Sequence, residues 1–305
     1  MAQRTHSFTT RQKMTKNTFE IYHYKDSAPR EVALHHHDFY EVYYFLSGSV
    51  SYNVESHSYR LTPGDLLLIG PQELHQPVFN PENREYERIV LWINSSFLQQ
   101  FRDEEHTLIN CFDTTLQGHS NLLRLDGANR ELLHYLLQQL LQEQEHPDFA
   151  SELYSLSLLT QMLVLMNRTY LRAAQGAEPR GQADSVVYRV LSYINDHYNE
   201  DLSLDELANR FFISKYHLSR EFGRLVGTSV YRYIIQKRLI MARQMMSMGV
   251  PTAQVYQQCG FGDYSNFYRA FKAEYQISPR AYLEDLKREN SQRPEAIAFR
   301  EFMGK

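Results

Sequence analysis

Gly260-Phe-Gly-Asp-Tyr-Ser-Asn-Phe-Tyr-Arg-Ala-Phe-Lys-Ala-Glu-Tyr-Gln-Ile-Ser-Pro279 is the stretch from which the rest of the chain is read. Asp263 or Ser265 can cap a short helix, Phe267 and Phe271 recur at i, i+4 on its apolar side, and Pro279 marks its exit. The other side carries Ser265, Asn266, Arg269 and Lys272. A polar, cationic face with short donors near the helix start suits entry into a major groove, and it equally suits an ordinary amphipathic surface helix.

A second copy separates these readings. Ser214-Lys-Tyr-His-Leu-Ser-Arg-Glu-Phe222 aligns with Asp263-Tyr-Ser-Asn-Phe-Tyr-Arg-Ala-Phe271: a polar cap, an apolar residue four on, Arg six on, Phe eight on. The offset is 49 residues. A shorter apolar helix precedes each copy, over 204–210 and 253–258, joined by tight turns at Phe211-Phe212 and Cys259-Gly260. Each copy is therefore expected to be a helix-turn-helix. The segment 230–248, with Ile234, Ile235, Leu239, Ala242 and Met245 or Met246 on one side, predicts a long helix holding the pair at a fixed separation.

Composition bounds the remainder. With 305 residues, 43% hydrophobic and 22% charged, the chain has the material for two cores of a soluble globular protein. Cys111 and Cys259 lie too far apart to form a disulfide framework or a cysteine-rich zinc module, which fits a reducing cytoplasm. The start lacks a signal-peptide core, and no long uncharged apolar run predicts a membrane span. The charge of −4 is uneven: residues 1–183 hold 15 Lys/Arg against 22 Asp/Glu, and residues 184–305 hold 17 against 14. Within residues 202–290 the balance is 13 basic to 8 acidic, an excess that suits phosphate contact.

From residue 18 to about 92 the pattern is β-rich: 19–24, 40–46, 50–54, 59–61, 65–69 and 88–93, with breaks at Ser47-Gly48, Pro63-Gly64, Gly70-Pro71 and Asn80-Pro81. Strands at this spacing predict a small barrel or sandwich enclosing a pocket. Two leucine-rich helices follow, 128–145 and 149–172, broken at His146-Pro147-Asp148. Their leucine density exceeds what sealing a barrel needs, so helices 128–172 are read as a homodimer interface. The expected organisation is an α+β multidomain chain. A flexible arm at 1–16 precedes an effector and dimerisation domain at 17–172, a linker at 173–184, an all-α DNA-binding domain at 185–291 and a tail at 292–305.

The C-terminal segments carry a resemblance. Leu-Ala-Asn-Arg-Phe-Phe-Ile-Ser-Lys-Tyr-His-Leu-Ser-Arg-Glu-Phe at 207–222, Arg238-Leu-Ile-Met-Ala-Arg243 and the 260–279 stretch together resemble the AraC/XylS family of bacterial transcription regulators. The resemblance covers roughly 100 residues. It implies that 214–224 and 264–273 are two recognition helices on successive major-groove faces, with RNA polymerase as a partner and activation as the outcome. Two positions depart from the family pattern: Tyr256 stands where a small alanine is usual, and Gln276 where a glycine is usual, so Gln276 must accept a left-handed conformation or shift the turn. Helical geometry then buries Leu218 and Phe222 and turns Lys215, Tyr216, His217, Ser219, Arg220 and Arg224 toward DNA. In the second unit Tyr264, Ser265, Asn266, Tyr268, Arg269 and Lys272 project. Arg220 and Arg269 suit guanine, Asn266 suits adenine, the tyrosines suit thymine methyls or phosphates, and Lys215, Arg224 and Lys272 suit phosphate.

In the N-terminal half, His35-x-His37, three residues, Glu41, six residues, Gly48 resembles the first metal-binding motif of cupins, and His75 stands where the second motif supplies a histidine. That second motif, Pro71-Gln-Glu-Leu-His75, lacks its glycine and is one residue short. His35, His37, Glu41 and His75 are thus candidate metal ligands, although no metal or other cofactor is the expectation. The leading reading is an effector pocket lined by His35, His37, Glu41, Tyr43, Tyr52, His75 and Trp92, whose aromatic and polar groups suit a sugar or a similar polar metabolite. The alternation along residues 40–46 turns about half of them outward. No Ser-His-Asp spacing, P-loop or dinucleotide fingerprint points to an enzyme. The alternative is a metal-dependent cupin enzyme fused to a DNA-binding module.

Overall fold

The computed structural model describes residues 12–27, 32–80, 85–101, 107–116, 118–174 and 185–291. Contacts divide the chain into two compact units that meet in sequence between Asp184 and Ser185. The unit boundary lies at the end of the expected linker, most of which, like the tail and residues 1–11 of the expected arm, falls outside the described residues. Of the rest of that arm, Thr15 and Lys16 donate backbone hydrogen bonds to the Glu20 carboxylate.

The first unit is built from β1 (Phe19–Asp26), β2 (Tyr40–Ser47), β3 (Val50–Val54), β4 (His57–Arg60), β5 (Leu66–Ile69), β6 (His75–Phe79), β7 (Tyr86–Ile93) and β8 (Leu122–Leu123). They form two antiparallel sheets, ordered β1-β7-β2-β5-β8 and β4-β3-β6. A short helix α1 (Ser95–Leu98) follows β7, and α2 (Gly127–Glu145) and α3 (Ser151–Ala174) follow β8. Strands β6 and β8 are absent from the sequence reading. Residues 75–79, His-Gln-Pro-Val-Phe, show no alternation and contain a proline, and β8 is two residues long, too short to show a period.

Strand alternation sorts the side chains of the five-stranded sheet onto two covered faces. Tyr43, Phe45, Leu67, Ile69, Val90 and Trp92 enter the core between the sheets with Val50, Tyr52, Val54 and Tyr59. Val42, Tyr44, Leu66, Leu68, Ile89 and Leu91 face the other way, onto Leu133, Leu136, Leu137, Leu140, Leu159, Met162 and Leu163 of α2 and α3. The outward half of β2 is therefore covered by helices, and the strand reads as a nearly continuous apolar run.

The second unit consists of α4 (Val186–His197), α5 (Leu204–Arg210), α6 (Lys215–Val226), α7 (Val230–Ser247), α8 (Thr252–Gln258), α9 (Tyr264–Tyr275) and α10 (Pro279–Ser291). Helices α4 and α10 extend the unit beyond the two copies recognised in the sequence. Ser203, Ser214, Ser229 and Asp263 each cap a helix by accepting from a backbone N–H of its first turn, so of the two cap candidates Asp263 serves α9. Leu218 and Phe222 are buried in the first copy and Phe267 and Phe271 in the second. Leu239, Ala242 and Met246 of α7 belong to the core of the second copy.

Candidate nucleic-acid interface and buried effector site

The two helix-turn-helix copies share one turn chemistry. After α5, Phe212 adopts φ 55°, and its N–H and that of Ile213 donate to the carbonyls of Asn209 and Ala208. After α8, Gly260 adopts φ 79°, with Gly260 and Phe261 donating to Gln257 and Tyr256. Both are left-handed helix stops that satisfy the last carbonyls. The second turn then holds one extra residue, Gly262, before the Asp263 cap. The 49-residue offset consequently applies to α6 and α9, while α5 and α8 are offset by 48. At the far ends of α6 and α9, Gly227 (φ 69°) and Gln276 (φ 62°) both take the left-handed conformation, so Gln276 accepts the strain and keeps the turn. Tyr256, the other departure, sets its ring edge-on to Tyr264 with centroids 5.8 Å apart.

The connector is tied by more than its apolar side. Arg238 of α7 donates to the carbonyls of Tyr198 and Glu200, each at 2.7 Å, in the turn after α4. A Cβ on Gly260 would meet the Asn199 carbonyl oxygen at 2.7 Å. One turn, residues 198–200, thus touches both the connecting helix and the stop of the second copy. The Arg238 motif was legible in the sequence, but its partners 38 and 40 residues away were not.

Of the residues expected to face DNA, Lys215, Tyr216, His217, Ser219, Arg220, Arg224, Tyr264, Ser265, Asn266, Arg269 and Lys272 are exposed, and Tyr268 is half-buried. Tyr216 is 74% exposed, so its ring and hydroxyl are free to contact a partner. The cations are held in place by local acids and amides. Glu221 pairs with Arg224 at 2.8 Å and Arg220 at 3.2 Å, Lys215 with Asp205 at 2.7 Å, and Arg269 donates to Asn266 Oδ1 at 2.6 Å. The guanidinium groups next to Glu221 hold its carboxyl below the usual range. These pairs are solvent-exposed and weak, so they orient the arginines without sequestering them.

In the first unit the sheets bring together all seven expected pocket residues. His35, His37, Glu41, Tyr43, Tyr52, His75 and Trp92 are all buried, His75 completely. An isolated backbone bridge joins His35 to His75. The imidazoles of His35 and His75 lie 4.2 Å apart and those of His37 and His75 4.8 Å apart. Glu41 accepts from Trp92 Nε1 at 2.9 Å and sits 3.3 Å from His37 Nε2. Burial, reinforced by neighbouring imidazoles, pushes His35 and His75 well below the ordinary histidine range, so both are neutral at pH 7. Phe39, which stacks on His37 at 3.9 Å, and Tyr86, whose hydroxyl meets that of Tyr43, belong to the same cluster and were not singled out from sequence. Nothing in the spacing marked them, because aromatic residues are common in any β core. A cavity of about 300 Å³ lies elsewhere in this unit, among Tyr40, Gly70, Pro71, Glu73, Ile109, Phe112, Asp113 and Thr114.

A β-sandwich with a polar, aromatic interior and a helical unit presenting two matched helix-turn-helix faces define a DNA-binding protein with a ligand-binding domain. Residues 19–163 match the AraC-like ligand binding domain, and residues 207–285 match a helix-turn-helix domain. The chain belongs to the AraC/XylS family of transcription regulators. The HTH-type transcriptional activator RhaS of Escherichia coli is 23% identical over 247 residues, spanning 81% of this chain and 85% of that protein. Among solved structures, apo ToxT from Vibrio cholerae is 15% identical, covering 90% of this chain and 100% of that chain with a TM-score of 0.39. The C-terminal domain of AraT from Geobacillus stearothermophilus is 26% identical, covering 33% of this chain and 86% of that chain with a TM-score of 0.33. Both scores are low, and the fold rests on the strand order and helix pattern above. Among the described residues no helix is long and apolar enough to cross a membrane.

Proposed function

We propose that this regulator is an effector-controlled activator that reads DNA through α6 and α9 and senses a small polar metabolite, a sugar or a chemically similar molecule, in the first unit. What supports this most is the repeated reading face. At offset positions, Arg220 and Arg269 stand above the buried Leu218/Phe222 and Phe267/Phe271 pairs, on helices whose stops follow the same hydrogen-bond pattern. Arg220, Arg269 and Asn266 read base edges, while Lys215, Arg224 and Lys272 contact phosphates. The buried histidine, glutamate and tyrosine cluster is the effector site, and the role is regulatory rather than enzymatic. Leu132, Tyr135, Phe149, Leu153 and Tyr154 on or between α2 and α3 are exposed, which supports a homodimer through these helices. A cytoplasmic regulator of this kind has RNA polymerase as its second protein partner. The test is fluorescence anisotropy of the full chain on its neighbouring promoter, with and without candidate sugars. Saturable, salt-dependent binding altered by one metabolite is expected, and no DNA binding at low salt refutes the proposal.

A further inference from the structure

We propose that the first unit binds a divalent transition-metal ion through Nε2 of His37, Nε2 of His75 and the carboxylate of Glu41. One ligand atom from each of these three buried residues lies within 4.8 Å of the others. The backbone prepares both rings for this role. His37 Nδ1 bonds the Phe39 carbonyl at 2.9 Å and His75 Nδ1 bonds the Glu73 carbonyl at 2.7 Å, which makes Nδ1 the protonated nitrogen and leaves Nε2 with its lone pair. A backbone carbonyl on the second nitrogen is the support that metal-ligating histidines have. Both Nε2 atoms are buried and make no hydrogen bond among the described residues, and His37 Nε2 lies 3.3 Å from a Glu41 carboxylate oxygen. Glu41 is oriented in turn by Trp92 Nε1.

Packing alone does not account for two imidazole lone pairs gathered with a carboxylate in a buried interior, where an unsatisfied polar atom is costly. A cation satisfies all three groups at once. Two imidazoles and one carboxylate select zinc, iron(II), cobalt or nickel over magnesium or calcium, which take oxygen donors. Three protein ligands leave coordination positions open, and a hydroxyl or carboxylate oxygen of a small effector completes them. That last step rests on the reading of this cluster as the effector site, whereas metal binding itself does not.

The chain contains a single tryptophan, so its fluorescence reports this site directly. Cobalt(II) is titrated into metal-free full-length protein while Trp92 emission and visible cobalt absorption are followed. Quenching of most of the emission at one equivalent, with cobalt bands appearing in parallel, is expected. The double variant His37→Gln/His75→Gln, with an unchanged thermal transition, loses both signals. Wild-type protein without saturable quenching overturns the proposal whether or not the variant folds, as does a folded variant that quenches equally. Normal cobalt binding together with failure to bind DNA refutes the regulatory reading and leaves the metal site standing. DNA binding without cobalt binding does the reverse.

Discussion

Replacing Gly260 by alanine attacks the point where the second helix-turn-helix meets the turn after α4. The new Cβ would stand 2.7 Å from the Asn199 carbonyl oxygen and 2.9 Å from Asn199 C and Cα, and backbone atoms cannot rotate away as a flexible side chain can. The position also has φ 79°, where an L residue with a Cβ costs roughly 1–2 kcal/mol. Forcing a methyl into a filled space adds about 1–3 kcal/mol. A loss of about 3 kcal/mol corresponds to a fall in Tm of roughly 12 °C for a unit of this size. Far-UV circular dichroism follows the helices of both units, α2 and α3 included, while Trp92 fluorescence follows the first unit alone, so the helical transition that does not coincide with the Trp92 transition should fall and the Trp92 transition should stay. Gly262→Ala is the control, since nothing lies within 4 Å of its added Cβ and its φ is not positive. An equal effect from both substitutions, or a helical transition unmoved by Gly260→Ala, would refute the assigned contact.

Arg269→Ala should weaken specific DNA binding by about 1–3 kcal/mol and relax preference at one base position, and Arg220→Ala should do the same in the other half of the site. Anisotropy combined with binding-site selection checks both; unchanged site preference would remove them from the reading face. Burial beside His57 lowers His119 to about 4, so its proton binds the unfolded chain more readily. Stability of the first unit should therefore decline as pH falls from about 6.5 toward 4, with a slope for this group approaching about 1.4 kcal/mol per pH unit, and His119→Asn should flatten that slope in urea titrations. Leu153, 69% exposed on α3, is the test of the proposed dimer. Leu153→Glu should halve the mass measured by light scattering with the Trp92 transition unchanged, and an unaltered mass would place the interface elsewhere.

What was legible in the sequence was local. A helix-turn-helix announces itself within about twenty residues through a cap, an i, i+4 apolar pair and a stop, and its duplication raises that signal above chance. The left-handed Gln276 was readable for the same reason, since a helix end constrains one backbone position. The extra residue Gly262 escaped because the apolar anchors of α6 and α9 align well by themselves, and only the hydrogen bonds of the two stops reveal the shift. Strand β6 escaped because burial, not alternation, defines it.

Sequence by itself therefore determined two matched helix-turn-helix copies, a connecting helix, a β-rich first half and the residue types of the buried cluster, all of which depend on near neighbours in the chain. Tertiary structure alone decided what those pieces do to one another. The bridge between His35 and His75 and the register of β2 on β7, pairing Glu41 with Trp92, turned scattered residues into one buried cluster. Covering both faces of β2 changed its outward residues from solvent contacts into core. Arg238 reached the turn at 198–200, and that turn closed on Gly260. Such contacts form only when chain folding brings distant backbone carbonyls and side chains within hydrogen-bond range, a condition that no local pattern encodes.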